Sequence, residues 1–310
     1  MKNLNLSVDY DRFFKNRMII ISGLSRSGTS ILSKIVGSFK NVLTLHEPLI
    51  LRYLPTLAQT NLMNFKLGSH LLKGILFEDY YLQILQGRRV NFRPSDNSYF
   101  GNYERLTDVR RRWVKYRRRS DVLKDLNEGQ YTFALKISEL QSLYPVLKRI
   151  FKGVKFIEII RNGEEVISSS LKRDWYTDEY LNRRMNEWTQ FYKVKIPWYV
   201  QKKDLEKFSE WNSATRIAYI WRTLSEKGFQ YEKKGDGRYL RLRYEKLTAN
   251  PEKTTELCED FLDLSRTAIT AKHIKDIKHY SLTEHKKVMC DIEKSERFRF
   301  EKMMRSLNYS

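Results

Sequence analysis

Met18-Ile19-Ile20-Ile21-Ser22-Gly23-Leu24-Ser25-Arg26-Ser27-Gly28-Thr29-Ser30 is the stretch that decides the fold. Its apolar start predicts a buried strand from Met18 to Ser22. From Thr29 to Phe39 the apolar residues Ile31, Leu32, Ile35, Val36 and Phe39 recur at three- and four-residue spacing, which predicts a helix. Between them, Gly23 and Gly28 bracket a four-residue gap. A loop of that kind turns successive backbone N–H groups and the positive helix end toward one point, where an anion is favoured. The alternative is a plain tight turn in an α/β domain.

Outward from this stretch, short apolar runs alternate with amphipathic ones. Val42 to Leu45, Tyr131 to Ile137, Lys155 to Ile160 and Tyr239 to Tyr244 read as further strands. Leu140 to Phe151, Glu164 to Arg173, Thr215 to Glu226 and Glu252 to Leu262 read as helices. Strands alternating with helices predict an α/β fold, a phosphate-loop-type parallel β-sheet flanked by α-helices. Pro48 to Gln130 breaks the rhythm and reads as a mostly helical insertion within a single domain spanning 1–310.

The chain has 310 residues, 41% hydrophobic and 31% charged, with 13 Gly and 6 Pro, which excludes a disordered or low-complexity protein. No apolar run near the start approaches the about 18 residues that span a bilayer, and no charged-then-apolar leader precedes it. Two cysteines, Cys258 and Cys290, do not make a disulfide framework, so a reducing, cytoplasmic location is expected. The net charge of +21 points to anionic partners without choosing among them.

The loop is laid out like Walker A, but Thr29 stands where the lysine belongs, and Arg26 puts a cation back inside. Arg26-Ser27-Gly28-Thr29-Ser30 after an apolar strand resembles the 5′-phosphosulfate loop of sulfotransferases that use 3′-phosphoadenosine 5′-phosphosulfate (PAPS). Arg161, at the end of the Lys155–Ile160 run, is followed eight residues later by Ser169, which is similar to that family's 3′-phosphate site. Arg173 resembles a further basic residue of the tyrosylprotein branch, and Asn162-Gly163 departs mildly from the family's Asp-Pro or Asp-Gly. Arg243-Tyr244-Glu245-Lys246-Leu247 resembles a segment whose tyrosine lies near the adenine. The resemblance covers roughly 17–50, 131–175 and 210–265 and implies PAPS as co-substrate, with no metal required. Trp211 and Trp221 read as core, and Ser281 matches a late family serine only loosely.

Sulfuryl transfer needs a base for the acceptor proton and cations for the transferring group. His46 and Glu47 end the second strand as adjacent candidates, and neighbouring strand residues point to opposite faces. In the carbohydrate and tyrosylprotein branch a Glu here, often followed by Pro, is the base, which favours Glu47-Pro48 with His46 as runner-up. The cytosolic small-molecule branch uses a His two residues after a Lys; Lys136-Ile137-Ser138 has Ser at that place. Lys136 stands at the family's lysine position and would join Arg26 in stabilising the transferring group.

Seven cations fall between Arg110 and Arg119, and on a helix they would spread around most of its circumference. A solvated face, an acidic acceptor, an anionic membrane surface or nucleic acid are the readings, and no nucleic-acid motif accompanies the cluster. His70, His273, His279 and His285 form no metal-ligand spacing with the cysteines. The expected acceptor is a carbohydrate, a tyrosyl peptide or a small metabolite with a hydroxyl or amine, docked against residues 48–130. A phosphate-loop kinase would need a strand-end carboxylate for Mg²⁺ where Arg161 stands. A basic anion-binding protein without turnover is the third reading.

Overall fold

A computed structural model describes residues 9–59, 61–183, 190–191, 193–235, 237–278 and 288–309. Its strands are β1 (Met18–Ser22), β2 (Val42–His46), β3 (Thr132–Lys136), β4 (Lys155–Ile160), β5 (Gln190–Phe191), β6 (Lys195–Ile196) and β7 (Tyr239–Arg243). Five of them form one sheet in the order β2-β3-β1-β4-β7, with every pair parallel. The short β5 and β6 pair separately as an antiparallel ribbon. β1 is buried along its whole length, as its unbroken apolar run requires.

Alternate β1 residues feed two different cores, which is what a sheet covered on both faces demands. Met18 and Ile20 join Leu43, Phe133 and Phe156 beneath the insertion helices and the helix Tyr144–Ile150. Ile19 and Ile21 join Leu32, Ile35 and Val36 of the helix Thr29–Gly37, with Cys258 and Leu262 beside them. A third core wraps the long helix Ser213–Lys234, packing Trp221 against Phe300 near the C-terminus.

The helices differ from expectation mainly at their ends. Asn162 accepts from Glu164 N at 2.9 Å and starts its helix at Gly163. Asn212 accepts from Thr215 N at 2.9 Å and opens a helix that runs on to Lys234, well past Glu226. The stretch predicted as helix from Leu140 begins as a 3₁₀ turn, Gln141–Leu143, and becomes α-helical only at Tyr144. Pro145 explains the late start, since it has no N–H to give and is tolerated only in a first turn.

The insertion holds helices Ile50–Gln59, Phe65–Gly74, Leu106–Lys115 and Arg119–Asn127, with a π-helical turn at Ile75–Tyr81. The Arg110–Arg119 cluster does not lie on one helix. Helix Leu106–Lys115 stops at Tyr116 (φ −104°, ψ 59°), and the next begins at Arg119. Among the described residues no helix is long and apolar enough to cross a membrane.

Candidate active site

Because the sheet is parallel, the carboxyl ends of its strands form one edge, the place where open α/β sheets bind ligands. Ser22, His46, Lys136, Ile160 and Arg243 are the last residues of the five strands. The residues that follow them include Glu47, Arg161 and Tyr244, so the predicted groups collect along that edge.

The loop after β1 is shaped by close neighbours. A Cβ on Gly23 would lie 2.3 Å from the Ile159 carbonyl oxygen. Gly28 caps the helix at φ +94°, where a Cβ would lie 2.4 Å from the Tyr244 ring. Arg26 is also left-handed, at φ 74°. Ser27 N donates to Leu24 O at 3.0 Å and closes the turn. The Ser27 hydroxyl is buried without a hydrogen-bond partner among the described residues, and no side chain caps the helix that Thr29 and Ser30 begin. A buried orphan hydroxyl beside uncapped helix amides suits a group with several acceptor oxygens, such as the phosphosulfate end of the donor.

The far wall of the loop is pinned by a residue that sequence reasoning missed. Glu139, buried and at φ 65°, accepts from Ser25 Oγ at 2.6 Å, and its own N–H donates to Gly23 O at 3.0 Å. Arg52 of the first insertion helix meets the other Glu139 oxygen at 3.4 Å.

Arg161 and Arg26 sit together. Arg161 Nη1 donates to Arg26 O at 3.1 Å, its Nε donates to Glu165 at 2.7 Å, and its guanidinium lies 4.5 Å from the Tyr244 ring centroid. Arg26 Nε donates to Ser169 Oγ at 3.0 Å, and its guanidinium lies 5.9 Å from the Trp175 ring. Burial lowers the Arg26 pKa, and the nearby charges of Arg173 and Arg161 lower it further. Three cations that repel one another in this way are relieved by an anion placed among them. Arg26, Arg161, Ser169, Arg173 and Tyr244, far apart in sequence, are thus brought to one place.

The two candidate bases part company. Lys136 and His46 are register partners across β3 and β2. Lys136 Nζ donates to Glu47 Oε1 at 2.5 Å, joining a lysine side chain 7% exposed to a carboxylate 58% exposed. Burial works to raise the Glu47 pKa, but the Lys136 charge and hydrogen bond outweigh it and hold the carboxyl below its ordinary value. His46 Nε2 instead meets the Tyr103 hydroxyl at 2.6 Å, and that hydroxyl donates to Asn97 O at 2.7 Å. Desolvation first, and Lys136 second, bring the His46 pKa down to about 4.

Beside the loop a cavity of about 830 Å³ is lined by Ile31, Lys34, Phe100, Tyr244, Lys272 and His273. Glu139, Trp175 and Tyr103 left no local signal in the sequence. Glu165 did, standing four residues after Arg161 on the Asn162-capped helix. Ser281 lies outside the described residues.

Residues 16–307 match the family described as the sulfotransferase domain. The chain belongs to that family, and it is a sulfotransferase that takes its sulfuryl group from PAPS. That sets the kinase reading aside. Among solved structures it is similar to the sulfotransferase domain of the curacin biosynthetic pathway, at 12% identity and TM-score 0.50, covering 96% of this chain and 98% of that one. The sulfotransferase domain of the Synechococcus PCC 7002 olefin synthase is 15% identical at TM-score 0.49, with 96% of each chain covered. The sulfotransferase STF9 from Mycobacterium avium is 11% identical at TM-score 0.49, covering 96% of this chain and 78% of that one. At such identities the likeness to the curacin domain speaks to the fold alone. No curated protein matches the chain in sequence.

Proposed function

We propose that Glu47 is the general base of this sulfotransferase, working beside Lys136 at the carboxyl edge of the sheet. The supporting observation is the 2.5 Å pairing of these two side chains, one on the β2 end and one on the β3 end. Glu47 takes the proton of an acceptor hydroxyl or amine. Its depressed pKa keeps it ionised at neutral pH, at some cost in proton affinity. His46 is the weaker candidate, because its ring is engaged by Tyr103 and is the less basic for being buried.

The donor supplies the sulfuryl group and the adenosine 3′,5′-bisphosphate leaving group. Arg26, Ser27, Gly28, Thr29 and Ser30 hold its phosphosulfate end through loop amides, the Ser27 hydroxyl and the Arg26 guanidinium. Arg161, Ser169 and Arg173 hold the 3′-phosphate. Tyr244 lies against the adenine, and the 830 Å³ cavity that Tyr244 borders takes the nucleoside. Arg26 and Lys136 offset the negative charge that shifts onto the bridging and nonbridging oxygens during transfer. The acceptor, a carbohydrate, a tyrosyl peptide or a small metabolite, docks against residues 48–130, whose chain leaves directly from Glu47.

Glu47→Gln tests this. Binding of adenosine 3′,5′-bisphosphate should stay near wild type, while turnover of labelled PAPS against a panel of hydroxyl and amine acceptors falls roughly a hundredfold or more. Turnover retained in Glu47→Gln and lost in His46→Gln would move the role to His46.

A further inference from the structure

The cations between Arg110 and Arg119 do not all do the same thing. Four have acidic partners: Arg111 meets Asp108 at 3.6 Å, Arg112 pairs with Glu104, Lys115 with Asp125, and Arg119 with Glu78. Among the described residues Arg110, Arg117 and Arg118 have no acid at ion-pair distance. The unpaired charge is therefore carried by Arg110 midway along helix Leu106–Lys115 and by Arg117 and Arg118 just beyond its end.

The same helix also carries apolar residues on its outside. It buries Val109 and Arg112, three residues apart, against the protein. Leu106, Arg110, Trp113 and Val114 follow at spacings of four, seven and eight, which is one helical face, and that face is turned to solvent. Leu106, Trp113 and Val114 are 37%, 41% and 67% exposed. Single exposed apolar residues need no explanation, but three on one face of one helix do. Trp113 is held in this outward position, since its indole rests on Gly87 so closely that a Cβ there would overlap it. The chain leaving Gly87 adds the exposed Arg88 next to it.

We propose that this face docks the protein on an anionic membrane surface. Arginines with free guanidinium groups would meet lipid phosphates. Trp113, Val114 and Leu106 would sit at headgroup depth, the level favoured by indole rings and by the apolar faces of interfacial helices. Charge complementarity chooses the sign of the partner, and the apolar residues choose its kind. A soluble polyanion would be met by the arginines alone and would give Val114 and Leu106 nothing to bury against. A chain of net charge +21 adds long-range attraction to such a surface. Leu106 also borders the 830 Å³ cavity, but Arg110, Trp113, Val114, Arg117 and Arg118 line neither that cavity nor the Lys136–Glu47 pair, so the inference stands apart from the proposed chemistry.

The test is co-sedimentation of the full chain with phosphatidylcholine vesicles and with mixed phosphatidylcholine–phosphatidylserine vesicles, alongside retention on heparin. The wild type should bind the mixed vesicles and leave the neutral ones. R110A/R117A/R118A should weaken that binding roughly a hundredfold, at roughly fivefold for each basic residue near the surface. V114S should weaken vesicle binding roughly tenfold while heparin retention stays unchanged. Both variants should bind adenosine 3′,5′-bisphosphate as the wild type does, which reports that they fold. If the triple variant fails that check, the Trp113 emission, read as wild type minus W113F, should shift to shorter wavelength on adding mixed vesicles. Failure to bind mixed vesicles overturns the proposal. So does vesicle binding that is indifferent to V114S, which would make the face a site for soluble polyanions.

Discussion

Gly28→Ala probes the junction where the glycine loop after β1 meets the proposed adenine residue. At φ +94° an alanine pays the left-handed penalty of about 1–2 kcal/mol. Its Cβ would also lie 2.4 Å from Tyr244 Cδ2 and 3.0 Å from Cε2, well inside ordinary contact, and overpacking of that kind costs about 1–3 kcal/mol. The expected loss of stability is thus about 2–5 kcal/mol, read by urea denaturation. Tyr244→Ala removes the obstacle, and the next atom, Ile159 Cδ1 at 3.3 Å, is no closer than a tight contact. In that background Gly28→Ala should cost only the conformational part, about 1–2 kcal/mol. The cycle should therefore show a coupling of about 1–3 kcal/mol between the two sites. Equal costs in both backgrounds, or a Gly28→Ala protein as stable as wild type, would refute the reasoning.

Other expectations concern charge. Arg161→Ala should weaken binding of adenosine 3′,5′-bisphosphate far more than binding of AMP by calorimetry; equal losses would remove Arg161 from the 3′-phosphate. Glu139→Leu should destabilise the fold by about 3–5 kcal/mol in urea, because it takes the carboxylate from the buried Arg52 guanidinium and from Ser25. With Glu47 held below its ordinary pKa, the acid limb of kcat/KM should lie below the usual carboxylate range, and Lys136→Met should move that limb upward. The same depressed pKa makes the pair's small stabilisation present above the unfolded carboxylate pKa and lost as pH falls through the folded value.

Legibility in the sequence followed locality. Four of the sheet strands announced themselves as short, largely apolar runs and β7 as an alternating one, and Met18–Ser22 is buried at every position just as its composition demands. The loop was readable because glycine spacing between strand and helix is a local pattern. Strand order was not, because β3 enters between β2 and β1 from some 85 residues downstream, and nothing local records that. Glu139 was invisible for a similar reason: its partners Ser25 and Arg52 are 114 and 87 residues away. His46 and Glu47 are expected to diverge by strand alternation, but β2 ends at His46 and Glu47 turns away at φ 48°; the contact that engages His46 comes from Tyr103, 57 residues on. Arg173 was picked out by resemblance, and its place beside Arg26 follows from a tight turn after Ser170 that carries no sequence mark.

The position of β2 has a bearing on which acceptors can be served. β1, which carries the donor loop, is stitched to β3 on one side and β4 on the other, whereas β2 is sewn along a single seam to β3. A marginal strand can rock about its seam without unmaking the sheet, and an inner one cannot. Glu47 rides on the tip of the marginal strand and Arg26 on the inner one. On the roles proposed above, the base is thus carried by the strand with one neighbour and the donor loop by a strand with two, so a substitution that loosens β2 should disturb the acceptor side before the nucleotide seat.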